Sequence, residues 1–115
     1  MSWTLKVRDR FSAAHFLREY KGKCEKLHGH TFQVEVEISV FALDPTGLGI
    51  DFTLIKAKLA EILPDHALLN EIYPFNPSAE NLARRFFEDL KPYFPVRAVT
   101  VWESEDARAT YTEDR

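Results

Sequence analysis

The sequence predicts an α+β fold: a four-stranded antiparallel sheet with two helices on one face, in the order strand, strand, helix, helix, strand, strand (ββααββ). Three observations lead there. Apolar and polar residues alternate over 3–15 and again over 32–40, the period-two signature of strands with one buried face. Two later segments carry apolar residues at helical spacing behind recognisable caps. Two final stretches, 96–103 and 107–112, return to strand character around a short turn at Glu105-Asp106. Strand pairs flanking helices suit an antiparallel sheet with one covered face.

The first strand places Trp3, Leu5, Val7, Phe11 and Ala13 on one side and Thr4, Lys6, Arg8 and Arg10 on the other. Residues 17 to 27, rich in Arg and Lys with Gly22, read as a loop. From Phe32 to Val40 the alternation is complete, with Gln33, Glu35, Glu37 and Ser39 between apolar neighbours. Asp44-Pro45-Thr46-Gly47 is a turn, because Pro presets the second position and Gly tolerates positive φ. Phe52, Ile55, Leu59 and Ile62 then recur at helical spacing, with Asp51 or Thr53 able to cap the first turn and Pro64 stopping the helix by Leu63. Ser78 caps a second helix whose stripe is Leu82, Ala83, Phe86, Phe87 and Leu90, ended by Pro92.

At 115 residues the chain is expected to form a single domain over 1–115. Its 45% apolar and 29% charged content matches ordinary globular proteins. No apolar run is long enough to span a bilayer, and the start has no export-signal pattern, so a cytoplasmic protein with no membrane partner is expected. A net charge of −3 argues against nucleic acid as partner, since phosphate backbones select for an excess of Lys and Arg. A local cation cluster for a small anion remains compatible with it. The single cysteine, Cys24, has no internal disulfide partner.

Side chains two apart on a strand share a face, so His28 and His30 present both imidazoles together, about 6–7 Å apart at Cα. One metal at about 2.0–2.1 Å from each ring nitrogen can bridge them. Both match the parity of Phe32 to Val40, and His15 has the buried parity of the first strand. Three neutral imidazoles with an open fourth position form the pattern of a catalytic zinc site. A pair of partnered, half-buried histidines would give the same spacing, but three of only four histidines converge on one face.

Cys24 lies in a loop with Arg18, Lys21, Lys23 and Lys26 against Glu19 and Glu25, a setting that favours the thiolate; the alternative is a fourth zinc ligand. Asp65-His66 reads in two ways. Adjacent residues seldom make a useful side-chain contact, which leaves a polar turn; alternatively His66 is a general base tuned by the carboxylate. Glu103 shares parity with Val99 and Val101, at the end of a buried-face pattern where a carboxylate needs a partner, although strand ends also carry solvated glutamates.

These residues sit in segments that closely resemble one family, the 6-pyruvoyl- and 6-carboxytetrahydropterin synthases. The segments are Phe11-Ser12-Ala13-Ala14-His15-Phe16, Cys24-Glu25-Lys26-Leu27-His28-Gly29-His30-Thr31-Phe32, Gly49-Ile50-Asp51-Phe52, Asp65-His66-Ala67-Leu68-Leu69-Asn70, Pro77-Ser78-Ala79-Glu80-Asn81-Leu82-Ala83 and Glu103-Ser104. The resemblance implies Zn2+ on His15, His28 and His30, proton transfer by Cys24, Asp65 and His66, and a pterin ring anchored by Glu103. It also implies the tunnelling fold, a homohexamer built as a dimer of trimers, and pockets shared between subunits. Three residues separate Cys24 from His28, which is similar to the carboxy-forming enzymes of queuosine (7-deazaguanine) biosynthesis. The expected substrate is thus 7,8-dihydroneopterin triphosphate and the expected product 6-carboxy-5,6,7,8-tetrahydropterin, made without nicotinamide or flavin. Lys21, Lys23 and Lys26 are candidates for the triphosphate. The rival readings are the pyruvoyl-forming reaction on the same scaffold and a non-catalytic zinc- or pterin-binding oligomer.

Overall fold

The computed structural model describes residues 1–19, 22 and 26–113. Strands β1 (Trp3–His15) and β2 (His28–Val40) form a long antiparallel hairpin. Helix α1 (Phe52–Ile62) follows, then a two-residue strand β3 (Ala67–Leu68), a single-turn helix α2 (Leu69–Ile72), helix α3 (Ala79–Leu90), and strands β4 (Val96–Trp102) and β5 (Arg108–Tyr111). The sheet order is β3-β1-β2-β4-β5.

This corrects the expected four-stranded antiparallel sheet with two helices. The sheet has five strands and is mixed, because β3 runs parallel to β1 with Ala13 opposite Ala67 and Ala14 opposite Leu68, and there are three helices among the described residues. Two residues of strand and four of helix are too short for any hydrophobic period to show. Both owe their place to tertiary pairing.

The four long-range strand assignments otherwise hold, with a register shift between Glu37 and Ile38 where β2 meets β4. Alternation delivers Val7, Phe11, Phe32, Val34, Val36, Ile38, Val99 and Val101 to one face, where α1 contributes Ile55 and Leu59 and α3 contributes Leu82, Phe86 and Leu90. Phe11 stacks on Phe32 at 4.9 Å and meets the edge of Phe86 at 5.7 Å. Caps end the helices as expected: Asp51 accepts from Thr53 N at 2.9 Å, and Ser78 accepts from Asn81 N at 3.2 Å. The assigned stripes are too generous at their ends. Phe52 is half exposed and Trp3 lies at the open end of its strand. No described helix is long and apolar enough to cross a membrane.

Candidate metal centre

The β1–β2 register brings the histidines together. His15 stands opposite His28, and Ala13 opposite His30. Directly opposed side chains lie about 4.5–5.5 Å apart at Cβ. Ring centroids are 4.5 Å apart for His15 and His28, 4.7 Å for His28 and His30, and 5.2 Å for His15 and His30. One ligand atom from each, together with a carboxylate oxygen of Glu103, falls within 4.8 Å of all the others.

Backbone carbonyls set the tautomers. His15 Nδ1 donates to Pro77 O at 2.7 Å, and His28 Nδ1 donates to Lys26 O at 2.7 Å. A carbonyl oxygen can only accept, so each Nδ1 carries a proton, and in the neutral ring Nε2 keeps the free lone pair. Such outer partners are what orient metal-ligating imidazoles. His15 is 1% exposed, and burial, only partly offset by the Pro77 carbonyl and by Glu103, holds its pKa below the ordinary value. It is therefore neutral, the form that binds a metal. The Nε2 atoms of His15 and His30 are buried without hydrogen-bond partners, an arrangement costing about 1–3 kcal/mol per atom if nothing occupies the centre. A neutral, buried His15, tautomers fixed at His15 and His28, and two orphaned nitrogens fit a divalent cation of the zinc type.

Of the two readings open for Asp65-His66, the structure shows the side-chain contact that the carboxylate-tuned histidine requires. His66 adopts a left-handed backbone, φ 55°, which turns its ring back so that Nδ1 lies 2.7 Å from Asp65 Oδ2. Asp65 Oδ1 accepts from Ser12 N at 2.8 Å, and the backbone N–H of His66 donates to Ser12 O at 2.6 Å. The Ser12 N–H, then the His66 hydrogen bond, hold the Asp65 carboxyl below its usual range. Asp65 is therefore ionised, and it orients the imidazole. Neither residue joins the histidine cluster among the described residues. His66 is 84% exposed at its side chain and lines a cavity of about 480 Å³ with Ser12, Ala13, Ala14, Gly29, His30, Thr31 and Ala67. Ser12, Ala14, Gly29 and Thr31 have the parity of the sheet face opposite His15 and His28.

Glu103 follows the last residue of β4 and turns its carboxylate toward the imidazoles, with Oε1 3.2 Å from His30 Nε2. Cys24, Lys21 and Lys23 lie outside the described residues; Lys26 is exposed. Two supporting residues carried no recognisable signal beyond their place in the chain. Asn70 brackets Phe16, accepting from its N–H and donating to its carbonyl, both at 3.0 Å. Asn76 does the same for Arg18 at 2.8 and 2.9 Å. Their side chains act as a short substitute strand that steers the chain leaving β1. The carbonyls of Pro77 and Lys26 were equally illegible, since any residue type supplies one.

A mixed sheet backed by helices, with three imidazoles converging at one end of its central hairpin, defines an α+β protein carrying a metal-type donor set. A family model described as 6-pyruvoyl tetrahydropterin synthase matches residues 4–114. A protein of Archaeoglobus fulgidus provisionally named 6-carboxy-5,6,7,8-tetrahydropterin synthase is 43% identical over 99 residues, which is 84% of this chain and 84% of that one. The 6-carboxy-5,6,7,8-tetrahydropterin synthase of Bacillus subtilis is 34% identical over 90 residues, covering 71% of this chain and 61% of its own length. The solved structure of Caenorhabditis elegans 6-pyruvoyl tetrahydropterin synthase is similar over 99% of this chain and 97% of that chain, with a TM-score of 0.87 and 28% identity. The chain belongs to the 6-pyruvoyl tetrahydropterin synthase family.

Proposed function

We propose that this chain is a zinc-dependent 6-carboxy-5,6,7,8-tetrahydropterin synthase of the queuosine (7-deazaguanine) route, acting in the cytoplasm as a single domain. It converts 7,8-dihydroneopterin triphosphate and water to 6-carboxy-5,6,7,8-tetrahydropterin, acetaldehyde and triphosphate. The observation that carries this reading is the convergence of three imidazoles, those of His15 and His28 fixed in tautomer by backbone carbonyls, with buried, unpartnered Nε2 atoms on His15 and His30. Relatives named for the carboxy product support that branch. The pyruvoyl reaction is the second reading, favoured by the likeness to the Caenorhabditis elegans structure.

His15, His28 and His30 hold the ion, which when bound supplies a Lewis acid that lowers the pKa of the substrate's side-chain hydroxyls. His66 is the proton carrier: with Nδ1–H held by ionised Asp65, its other nitrogen is free to accept a proton and later return it. Cys24 is assigned the partner role in the same transfers. Glu103 accepts the ring N–H and exocyclic amino group of the pterin, a planar donor pair that one carboxylate matches.

The exposure of His66 and its place beside residues of the opposite sheet face support a site shared between subunits, in which the Asp65–His66 pair serves a neighbour's zinc. A homohexamer formed as a dimer of trimers supplies that neighbour and covers the open sheet edges. Zinc-depleted protein should not consume dihydroneopterin triphosphate and should recover on adding one equivalent of zinc. Wild-type turnover unaffected by metal removal contradicts the proposal, as does full recovery of His28→Ala.

A further inference from the structure

Glu103 is assigned to the pterin ring, yet in this structure its carboxylate faces the three imidazoles. Oε1 is 3.2 Å from His30 Nε2, but that nitrogen has no hydrogen-bond partner, so the oxygen stands off the axis along which a ring N–H would donate. Two atoms held at 2.0–2.1 Å by one tetrahedral ion stand about 3.3 Å apart, close to the separation found here. Charge points the same way. Three neutral imidazoles leave the full double charge of zinc beside a residue that is 1% exposed, and a carboxylate is the one donor of the cluster that reduces it.

We propose that Glu103 alternates between two partners: in the pterin-free protein it closes the fourth position of the metal, and the arriving ring draws it away. The backbone is suited to this exchange. Glu103 N–H donates to Ala107 O at 3.1 Å, anchoring the backbone in the turn between β4 and β5, while its side chain is 30% exposed. In leaving the ion the carboxylate keeps its charge and gains two N–H donors, so no acceptor is left unpaired. The result is an interlock. The metal offers a position to the substrate's side chain only after the ring is seated, and a polyol or triphosphate without a pterin ring does not open the site.

The inference rests on the zinc reading above, and its test separates the two. Full-length zinc-free wild type, Glu103→Gln and Glu103→Ala are titrated with zinc against a competing chelator dye, and with cobalt(II) by visible absorption, after circular dichroism confirms folding. Glu103→Gln preserves size, so a folding defect in Glu103→Ala does not decide the outcome. All three should bind one equivalent, with the zinc dissociation constant raised at least about tenfold in both variants, the scale on which even outer partners of metal ligands matter. A tetrahydropterin lacking the side chain should change the cobalt spectrum of wild type and leave those of the variants as they were. Equal zinc affinities, or no pterin-induced change in the wild-type spectrum, overturn the exchange and leave the three-histidine site standing. Wild type that binds no zinc overturns both.

Discussion

Replacing His15 by leucine separates a metal ligand from a packing residue. His15 is buried, its Nδ1 is bonded to the Pro77 carbonyl and its Nε2 is unpaired. In zinc-free protein the substitution removes the orphaned nitrogen and orphans the carbonyl instead. Each group costs about 1–3 kcal/mol when buried and unpaired, so the two changes cancel to within about 2 kcal/mol. Leucine fills much the same volume, and no large cavity results. With zinc present the balance shifts. At free zinc a thousandfold above its Kd, binding stabilises the wild type by about 4.1 kcal/mol, whereas the variant lacks one of three imidazoles and gains little. Urea unfolding at fixed subunit concentration, with chelator and with zinc, measures all four quantities. Wild type and His15→Leu should be similar in chelator and diverge by several kcal/mol in zinc. If the variant is severely destabilised in chelator and zinc still protects both proteins equally, His15 is a structural residue and the ligand assignment fails.

Other consequences follow from the same geometry. Because burial lowers the His15 pKa below its ordinary 6.5, the folded zinc-free protein resists protonating it; the associated stability is complete above pH 6.5 and declines as pH falls through the lowered value. Zinc-free wild type should therefore lose urea resistance in mild acid, and His15→Leu should lose less. Cys24→Ala should retain one equivalent of zinc by metal analysis while losing turnover; loss of the metal instead makes Cys24 a ligand. Asp65→Asn replaces an ionised acceptor that holds the His66 proton, so kcat should fall and its pH profile shift with zinc content unchanged; an unaltered profile leaves Asp65 a backbone cap for Ser12. Neutralising Lys21, Lys23 and Lys26 together should raise KM for the triphosphate substrate much more than for its dephosphorylated analogue. Equal effects on both would remove these lysines from triphosphate binding.

The histidine cluster was legible because strand parity is strict. Once His28 and His30 share the face of Phe32 to Val40, a paired strand with His15 at matching parity presents its ring on the same face, and the β1–β2 register sets it opposite His28. Helices α1 and α3 were legible from Asp51, Ser78 and their apolar stripes. The bend that creates the Asp65–His66 contact was not, because positive φ at a histidine has no reliable residue signature. β3 and α2 owe their existence to neighbours that only the folded chain supplies. Likewise Phe52 and Trp3 fit their periodic patterns and still face outward, since a period identifies a face but not how far along the element its cover extends. Glu103 was correctly placed at the end of the apolar face, but its approach to His30 depends on the β2–β4 register, which no pattern within one strand specifies.

The most direct measurement of the central claim is incubation of the zinc-loaded protein with 7,8-dihydroneopterin triphosphate, followed by mass analysis of the products. The expected result is 6-carboxy-5,6,7,8-tetrahydropterin with one equivalent each of acetaldehyde and triphosphate, abolished in His28→Ala and in Cys24→Ala. A pyruvoyl product without acetaldehyde would assign the other branch of the family, and unchanged substrate in the presence of bound zinc would contradict a catalytic role for the site.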